Sequence, residues 1–271
     1  MLANYRKFIA LLLCAVIPAI AMAQPAKKEY EPHVGQSGKD VVWVPSPQAL
    51  VDRMLEMAKV TPADVLYDLG SGDGRTVITA AKRGVKAYGI EYNSDMVELA
   101  KRNAQKEGVA DKVTFTQGDI FVSDFSNATV ITLFLLPDLN VKLRPKLLDM
   151  KPGLRVVSNS FTMGDWKSDQ TMSAGGDCSS WCTAHLWIVP AKVEGAWKTS
   201  RGTLTLKQEY QMLSGTLAQG NVSAIISDAK MNGEQISFSA GGAQYSGRVT
   251  GGAIEGTYKT AGSNGKWTAT H

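Results

Sequence analysis

The sequence predicts an α/β protein with a doubly wound, mainly parallel sheet, followed by a C-terminal antiparallel β meander. Three observations lead to this prediction. Apolar runs of strand length alternate with helical stretches between residues 45 and 191. A glycine-rich loop follows the first of these strands. From residue 193 onward the helical pattern stops, and short alternating runs with glycine turns replace it. We therefore expect two regions, 45–191 and 193–271.

The N-terminal residues 1–23 have the pattern of a secretory signal peptide. A basic stretch comes first, a run of fourteen apolar residues follows, and the small residues Ala21 and Ala23 precede Gln24. The apolar run is shorter than the ~20 residues that a helix needs to span a bilayer. The pattern therefore favours cleavage before Gln24 and a periplasmic or secreted protein with no stable membrane span. The alternative is a protein anchored in the membrane by an uncleaved N-terminus.

The composition is that of a globular protein, with 44% hydrophobic and 20% charged residues. The formal net charge is +4, and two of the cations, Arg6 and Lys7, lie in the predicted signal peptide. So small an excess gives no electrostatic reason to expect a nucleic-acid partner.

Two of the three cysteines remain after removal of the signal peptide, which contains Cys14. Cys178 and Cys182 lie in the stretch CSSWC. In an oxidising compartment such a pair can form a local disulfide, and two free thiols are the alternative. The histidines are scattered, and no Cys/His cluster has the spacing of a zinc site, so no metal is predicted.

Residues 24–44 are predicted to form an extended leader. The stretch 24–40 is polar and lacks periodicity, and the two prolines of VVWVPSP disfavour a helix there. Pro47 suits the start of a helix, and QALVDRMLEMAKV places its apolar residues on one helical face. A helix is therefore expected directly before the first strand.

The central region alternates strands and helices. Strands are predicted near 65–69, 86–91, 112–117, 128–135, 153–160 and 185–191, and helices near 75–83, 94–108 and 138–150. Helices of this length between apolar strands are typical of a parallel sheet that is covered on both faces.

The C-terminal stretch 193–271 is predicted to be all β. It contains half of the chain's 26 glycines and no proline, and short alternating runs such as TLTLKQ and ISFSA recur in it. Closely spaced strands of this kind are typical of an antiparallel meander, a small barrel or a sandwich. The region is either a separate domain or a sheet packed onto the first region.

The stretch DLGSGDGR joins the first predicted strand to a helix. Gly70, Gly72 and Gly74 permit unusual dihedrals and a close approach to the backbone, as anion- and nucleotide-binding loops require. The nicotinamide fingerprint would have a glycine where Arg75 stands, and no G-K-[ST] follows, so a P-loop is excluded as well.

Three acids near strand ends narrow the expected ligand. Asp68 lies beside the loop and suits an ammonium group, and Glu91, 17 residues after Gly74, suits ribose hydroxyls. Asp119 follows the third strand and can accept from an exocyclic amine, while Ile120 or Phe121 packs on a purine. An ammonium, a ribose and an adenine without phosphates together describe S-adenosylmethionine. Each acid has a structural alternative, such as capping a turn or a helix.

At these residues the chain resembles the class I S-adenosylmethionine-dependent methyltransferases, over about residues 41–191. The sequence of the loop, followed by AAKRG, most resembles that of the small lysine methyltransferases that modify mitochondrial ATP-synthase and carrier proteins. It is more distantly similar to that of the histone methyltransferases that lack a SET domain. The resemblance implies a Rossmann-like fold and methyl transfer to a protein side chain, with lysine as a candidate, or to a small molecule. It also implies an extended segment before the first strand that closes over the cofactor. VVWVPSP stands at the corresponding position in this chain.

The chain departs from the family pattern after the fourth strand. TLFLLPDLN lacks the double proline that many amino-methylating members carry there. Methyl transfer needs mainly alignment and exclusion of water, so a base is required only for a protonated acceptor. Asp138, Asp165 and His185 are the catalytic candidates, each with a structural alternative. The alternative function is a non-catalytic envelope protein that binds a partner through its β-rich tail.

Overall fold

The computed structural model describes residues 29–176 and 178–271. The predicted signal peptide and Cys14 lie outside the described residues. The helices are α1 Gln48–Met57, α2 Arg75–Lys82, α3 Ser94–Lys106 and α4 Pro137–Leu148. The strands before residue 190 are β1 Val65–Leu69, β2 Lys86–Glu91, β3 Val113–Gln117, β4 Val130–Leu133, β5 Arg155–Asn159, β6 Gln170–Ser173 and β7 Thr183–Ile188.

These seven strands form one sheet in the order β3-β2-β1-β4-β5-β7-β6. Strands β1 to β5 are parallel, and β7 runs antiparallel between β5 and β6. The strand order reverses beside β1, which pairs with β2 on one side and β4 on the other. In open parallel sheets this switch point, at the carboxyl ends of the strands, is where ligands bind.

Apolar residues cover both faces of the sheet. Helices α1, α2 and α3 pack on one face around Leu66 and Val157, and α4 packs on the other through Leu143 and Leu147. The prediction of a doubly wound sheet is therefore confirmed. Strand β6 was not predicted, because its residues are mostly exposed and carry no apolar alternation.

The leader differs from the extended segment that the sequence predicts. Residues 35–43 form a tight hairpin, in which Gly35 N donates to Trp43 O and Trp43 N donates to Gln36 O, at 2.8 and 2.9 Å. A further bond from Gly38 N to Val41 O closes its tip. Because these bonds join backbone groups, the composition of the leader gave little indication of them.

The C-terminal region is an antiparallel sheet that closes on itself. Its strands are β8 Gly195–Thr199, β9 Gly202–Glu209, β10 Met212–Gln219, β11 Val222–Ile225, β12 Ser227–Asn232, β13 Gln235–Ala240, β14 Ala243–Thr250, β15 Ala253–Lys259 and β16 Asn264–Thr270. Strand β10 pairs with both β11 and β12, and every later strand pairs with its neighbour in the chain. Strand β16 returns to β8, and β8 and β10 both pair with β9. The meander is thus barrel-like.

Side chains fill the interior of this barrel. Phe238 stacks on Tyr245 at 4.7 Å between ring centroids, and Trp267 meets both rings edge-on. Trp267 fits because Gly256 has no side chain: a Cβ there would lie 2.7 Å from Trp267 Nε1. The barrel interior is therefore a packed core.

A buried joint connects the barrel to the first sheet. Trp166 Nε1 donates to Gln211 Oε1 at 3.0 Å, and Gln211 Nε2 donates to Lys167 O at 2.7 Å. Trp166 also stacks on Tyr210, and Trp187 Nε1 donates to Trp166 O. The two regions therefore share apolar surface and buried hydrogen bonds.

Candidate active site

A two-part groove lies at the carboxyl edge of the sheet, at the switch point beside β1. The larger cavity, of about 470 Å³, borders Asp68 and the glycine loop, and the smaller one, of about 100 Å³, borders Glu91 and Asp119. Trp43 of the leader hairpin lines both cavities. The residues that the sequence predicts to bind an ammonium, a ribose and an adenine therefore all lie at the carboxyl edge of the sheet.

The glycine loop has the left-handed backbone that its composition predicts. Gly70, Gly72 and Gly74 have φ values of 81°, 52° and 84°. A Cβ on Gly72 would lie 2.8 Å from Trp43 Nε1, and one on Gly74 would lie 2.7 Å from the Phe115 ring. These two glycines therefore make room for protein side chains, in addition to any approach by a ligand.

Arg75 explains why the third position of the nicotinamide fingerprint is not glycine here. Its guanidinium pairs with Asp73, and its Nη1 donates to Ser46 O at 2.8 Å. Asn159 Nδ2 donates to Ser46 Oγ at 3.0 Å from the end of β5. The segment before α1 is thus attached to both the glycine loop and the sheet.

Asp68 is a buried carboxyl group, 7% exposed, at the end of β1. Thr132 donates its hydroxyl to Asp68 Oδ1 at 2.6 Å. Burial raises the pKa of Asp68 to about 7, in spite of that hydrogen bond, and the nearby acids Asp73 and Glu91 add to the rise. Within the described residues Asp68 has no ion-pair partner. A buried carboxylate without a cation fits the ammonium of an amino-acid ligand.

Glu91 lies at the end of β2 and borders the smaller cavity. Its Oε2 accepts from Gly72 N and its Oε1 accepts from Asn93 N, both at 2.9 Å. Each carboxylate oxygen has a second lone pair, so Glu91 can hold the glycine loop and still accept hydrogen bonds from two ribose hydroxyls.

Asp119 lies in the loop after β3, beside Ile120, and both border the smaller cavity. Asp119 Oδ1 accepts from Phe121 N at 2.9 Å, and Oδ2 lies 2.7 Å from Lys39 Nζ of the leader hairpin. The Lys39 ammonium holds the pKa of Asp119 below its usual value. The position that the sequence assigns to adenine is therefore also a contact of the leader.

The three catalytic candidates do not border either cavity. Asp138 is exposed in the first turn of α4, and Asp165 is an exposed partner of Arg144. His185 lies within β7, where its Nδ1 is 2.9 Å from Thr171 Oγ1, and burial lowers its pKa. Their positions therefore do not support the expectation that one of them acts as a base, since none of the three is among the residues that line the groove.

Sequence reasoning missed an aromatic wall of the larger cavity. Phe134, Phe161 and Trp181 all line it, together with Leu135 and Leu136 of the stretch after β4. The three rings come from segments far apart in the chain, and no local pattern links them. Two sequence features could have indicated this wall: the apolar character of TLFLLPDLN and the tryptophan within CSSWC.

Cys178 and Cys182 are joined by a disulfide in this structure. The bond closes the small loop that carries Trp181. The sequence places this loop in the insertion before β7, at the carboxyl edge of the sheet, and the aromatic wall lies there.

The methyltransferase domain model named for ANTKMT matches residues 68–170 of the chain. A protein-lysine N-methyltransferase of Saccharolobus islandicus is 41% identical over 163 residues, which is 59% of this chain and 96% of that protein. The adenine nucleotide translocase lysine N-methyltransferase of Mus musculus is 30% identical over 148 residues, and the match spans 54% of this chain and 60% of that enzyme.

The chain is also similar to a solved structure. The crystal structure of an RNA methyltransferase from Salinibacter ruber, in complex with S-adenosyl-L-homocysteine, is 51% identical, with a TM-score of 0.52. The match covers 55% of this chain and 96% of that one. These matches leave about two fifths of the chain without a counterpart in either of the two proteins that are almost wholly covered.

Proposed function

We propose that this chain, which belongs to the family of S-adenosylmethionine-dependent protein-lysine N-methyltransferases, methylates the ε-amino group of a lysine in a protein acceptor. The observation that carries the proposal is that the two cavities adjoin, since Trp43, Gly70 and Leu135 line both of them. Asp68, Glu91 and Asp119 border one groove, and its larger part ends at an apolar, aromatic wall. Cofactor groups and acceptor can therefore lie at opposite ends of one site.

The chemistry places few demands on the protein. S-adenosylmethionine, when bound, supplies a methyl group on a sulfonium: the amine lone pair forms the new C–N bond, the S–C bond breaks with its electrons left on sulfur, and the amine releases one proton. Asp68 would hold the amino-acid ammonium, Glu91 the ribose, and Asp119 with Ile120 the adenine. The apolar wall at Leu135 excludes water from the site.

The positions of the candidates argue against a dedicated side-chain base. A lysine that enters an apolar cavity loses part of its hydration, and burial favours its neutral form. Since the neutral amine is the nucleophile, the apolar part of the wall at Leu135 and Leu136 promotes the reactive state. Proton release to solvent then completes the reaction.

Protein lysine is favoured over RNA as the acceptor. Two relatives, from Saccharolobus islandicus and Mus musculus, are named as lysine methyltransferases, and the cavity is walled by apolar and aromatic side chains. The Salinibacter ruber structure carries the name of an RNA methyltransferase, so RNA is the acceptor to test beside lysine.

The test uses the purified chain from Gln24 onward. It is incubated with methyl-labelled S-adenosylmethionine and, separately, with lysine-centred peptides of varied flanking sequence and with total RNA. Label on lysine, confirmed by mass spectrometry and absent with Glu91→Ala, supports the proposal. Label on RNA alone overturns the choice of acceptor. No transfer, together with no binding of S-adenosylhomocysteine in calorimetry, overturns the proposed enzyme activity and favours the envelope binding protein.

We also propose that the protein is exported. The signal-like pattern of residues 1–23 supports export. The disulfide between Cys178 and Cys182 is the kind of bond that persists in oxidising compartments. An exported enzyme needs a supply of S-adenosylmethionine outside the cytoplasm, and this makes location a question about the cofactor as well.

Intact-mass measurement of protein from the native envelope tests export. A mass that begins at Gln24, with no alkylatable thiol before reduction, supports it. A mass that begins at Met1 indicates an uncleaved anchor, and two thiols that react without reduction indicate a reducing compartment. Either result contradicts the corresponding part of the proposal.

A further inference from the structure

Three aromatic rings form a cluster on the wall of the larger cavity. Trp181 lies 5.6 Å from Phe134 and 5.5 Å from Phe161, between ring centroids, and Phe134 lies 6.1 Å from Phe161. Trp181 is 42% exposed, so the cluster borders both the cavity and solvent. The Trp181 ring is therefore accessible to a molecule that occupies the cavity.

The backbone on both sides of this cluster has an uncommon conformation. Trp181 has φ of 55°, and Ser160, directly before Phe161, has φ of 58°. Left-handed backbone at residues other than glycine is disfavoured, most of all for a bulky residue, and it persists where surrounding structure enforces it. The surrounding structure therefore holds the backbone at two positions beside this cavity in a conformation that it would not adopt by itself.

Two of the three rings lie on segments that other contacts hold in place. The disulfide between Cys178 and Cys182 closes the loop around Trp181. Buried Asn140 donates from Nδ2 to Phe161 O and Thr162 O, at 3.3 and 3.2 Å. The segments that carry Trp181 and Phe161 are therefore held by contacts within the protein.

We propose that Phe134, Phe161 and Trp181 form the acceptor subsite, which receives the lysine side chain of the substrate protein; this rests on the proposed function. The electron-rich faces of aromatic rings attract an ammonium group, and tryptophan does so most strongly. The rings also cover the methylene stem of a lysine. The ammonium enters over Trp181, and the amine loses its charge as it passes to the apolar interior beside Leu135.

The disulfide is a positioning element of this subsite. It makes no contact with the reacting atoms, and it acts through Trp181. Reduction frees the loop, so Trp181 samples other backbone conformations and the acceptor binds more weakly. The effect is on KM for the acceptor and not on the binding of S-adenosylhomocysteine.

Two substitutions separate the ring from the backbone. Trp181→Asn removes the ring, and asparagine tolerates left-handed backbone. Trp181→Phe keeps an aromatic face. We expect Trp181→Asn to raise KM for a lysine peptide by about tenfold, as the loss of a desolvated cation–π contact predicts, and Trp181→Phe to raise it less. Ile225→Ala, an exposed apolar change on β11, is the matched control with unchanged kinetics.

A binding measurement complements the kinetics. Nα-acetyl-lysine methylamide and its norleucine analogue have the same stem, but only the first has an ammonium. Ligand-observed NMR in saturating S-adenosylhomocysteine should show contact of the lysine compound with the wild-type protein, and weaker contact of the norleucine compound. Trp181→Asn, or reduction of the disulfide, should remove the difference between them.

The outcomes distinguish this inference from the function on which it rests. Absence of S-adenosylhomocysteine binding and of methyl transfer by the wild-type protein overturns the proposed function. Transfer by the wild type, with KM for the lysine peptide unchanged in Trp181→Asn, overturns the subsite alone. Equal contact of the lysine and norleucine compounds with the wild type also contradicts a role for the ammonium.

Discussion

Lys39 Nζ lies 2.7 Å from Asp119 Oδ2, so the leader hairpin contacts the acid that we assign to adenine. Lys39 also lies 5.0 Å from the centroid of the Tyr92 ring. Both ends of this pair are partly exposed. Asp119 thus has two partners to serve, the leader hairpin through Lys39 and the adenine that we assign to it.

The first prediction separates these two roles of Asp119. Exposed ion pairs contribute little, so Lys39→Met should weaken S-adenosylhomocysteine binding less than about threefold. Asp119→Ala removes the acceptor for the adenine amine as well and should weaken binding by roughly tenfold or more. Calorimetry of both variants measures the difference. Equal losses in the two variants would mean that Asp119 serves only as an anchor for the leader.

The second prediction concerns Glu91. Glu91→Ala should weaken S-adenosylhomocysteine binding by ~1–3 kcal/mol, because ribose hydroxyls and the Gly72 N–H lose their acceptor. Calorimetry measures the change. Glu98→Ala is the matched control: it removes an exposed acid on α3 that pairs with Lys101. Unchanged affinity in Glu91→Ala would remove Glu91 from the site.

The third prediction is a pH dependence set by Asp68. The pKa of Asp68 in the free protein is raised to about 7, so the carboxyl is protonated below that pH and must lose a proton to pair with an ammonium. Affinity for S-adenosylhomocysteine should therefore fall up to about tenfold for each pH unit below 7 and level off above it. Asp68→Asn should bind weakly and show no such slope between about pH 5.5 and 8.

The same group affects the stability of the free protein. The folded pKa lies above the unfolded value of 3.8, so the folded state holds the proton more tightly, and stability falls as pH rises from about 4 to 7. Asp68→Asn should accordingly be more stable than the wild type above about pH 7, by ~1–3 kcal/mol, in denaturant titrations without ligand. A variant less stable at that pH would contradict the desolvation that we infer.

The fourth prediction tests the contact between Gly72 and Trp43. Gly72→Ala places a Cβ 2.8 Å from Trp43 Nε1 and also imposes a positive φ on alanine. We expect a loss of ~1–3 kcal/mol in stability. In a Trp43→Ala background the steric part should disappear and only the backbone part remain. Thermal unfolding of the four proteins in this cycle measures the coupling, and strict additivity would show that the two residues do not touch.

The fifth prediction concerns the joint between the barrel and the first sheet. Gln211→Ala leaves Trp166 Nε1 and Lys167 O without their buried partners. It should destabilise the protein by ~1–3 kcal/mol and leave S-adenosylhomocysteine binding unchanged. Gln219→Ala, an exposed change at the end of β10, is the control. A normal unfolding midpoint in Gln211→Ala would show that the joint contributes little.

The sheet and its helices were predictable because their residues carry strong local patterns. The apolar run before Gly70 and the periodic stretch that ends near Lys106 specify a strand and a helix without reference to the rest of the chain. The cofactor edge followed from topology, since Asp68, Glu91 and Asp119 all come at strand ends.

The acceptor side of the site was not predictable in the same way. Phe134, Phe161 and Trp181 are far apart in the chain and meet only through tertiary packing. The leader hairpin is specified by backbone hydrogen bonds and by contacts such as Lys39 with Asp119. Closure of the barrel depends on the pairing of β16 with β8, and no local pattern in either strand specifies it.

The closure of the barrel by β16 and β8 determines when the barrel can finish folding during synthesis of the chain. Strand β8 pairs with β9, the next strand in the chain, but its other edge finds its partner only when residues near Ala269 have been synthesised. Until then, the free edge of the growing meander has unpaired backbone groups. The barrel therefore closes only after all nine of its strands have been synthesised. An edge that stays open until β16 arrives can pair instead with the edge of a second chain, so slow closure of the barrel favours aggregation.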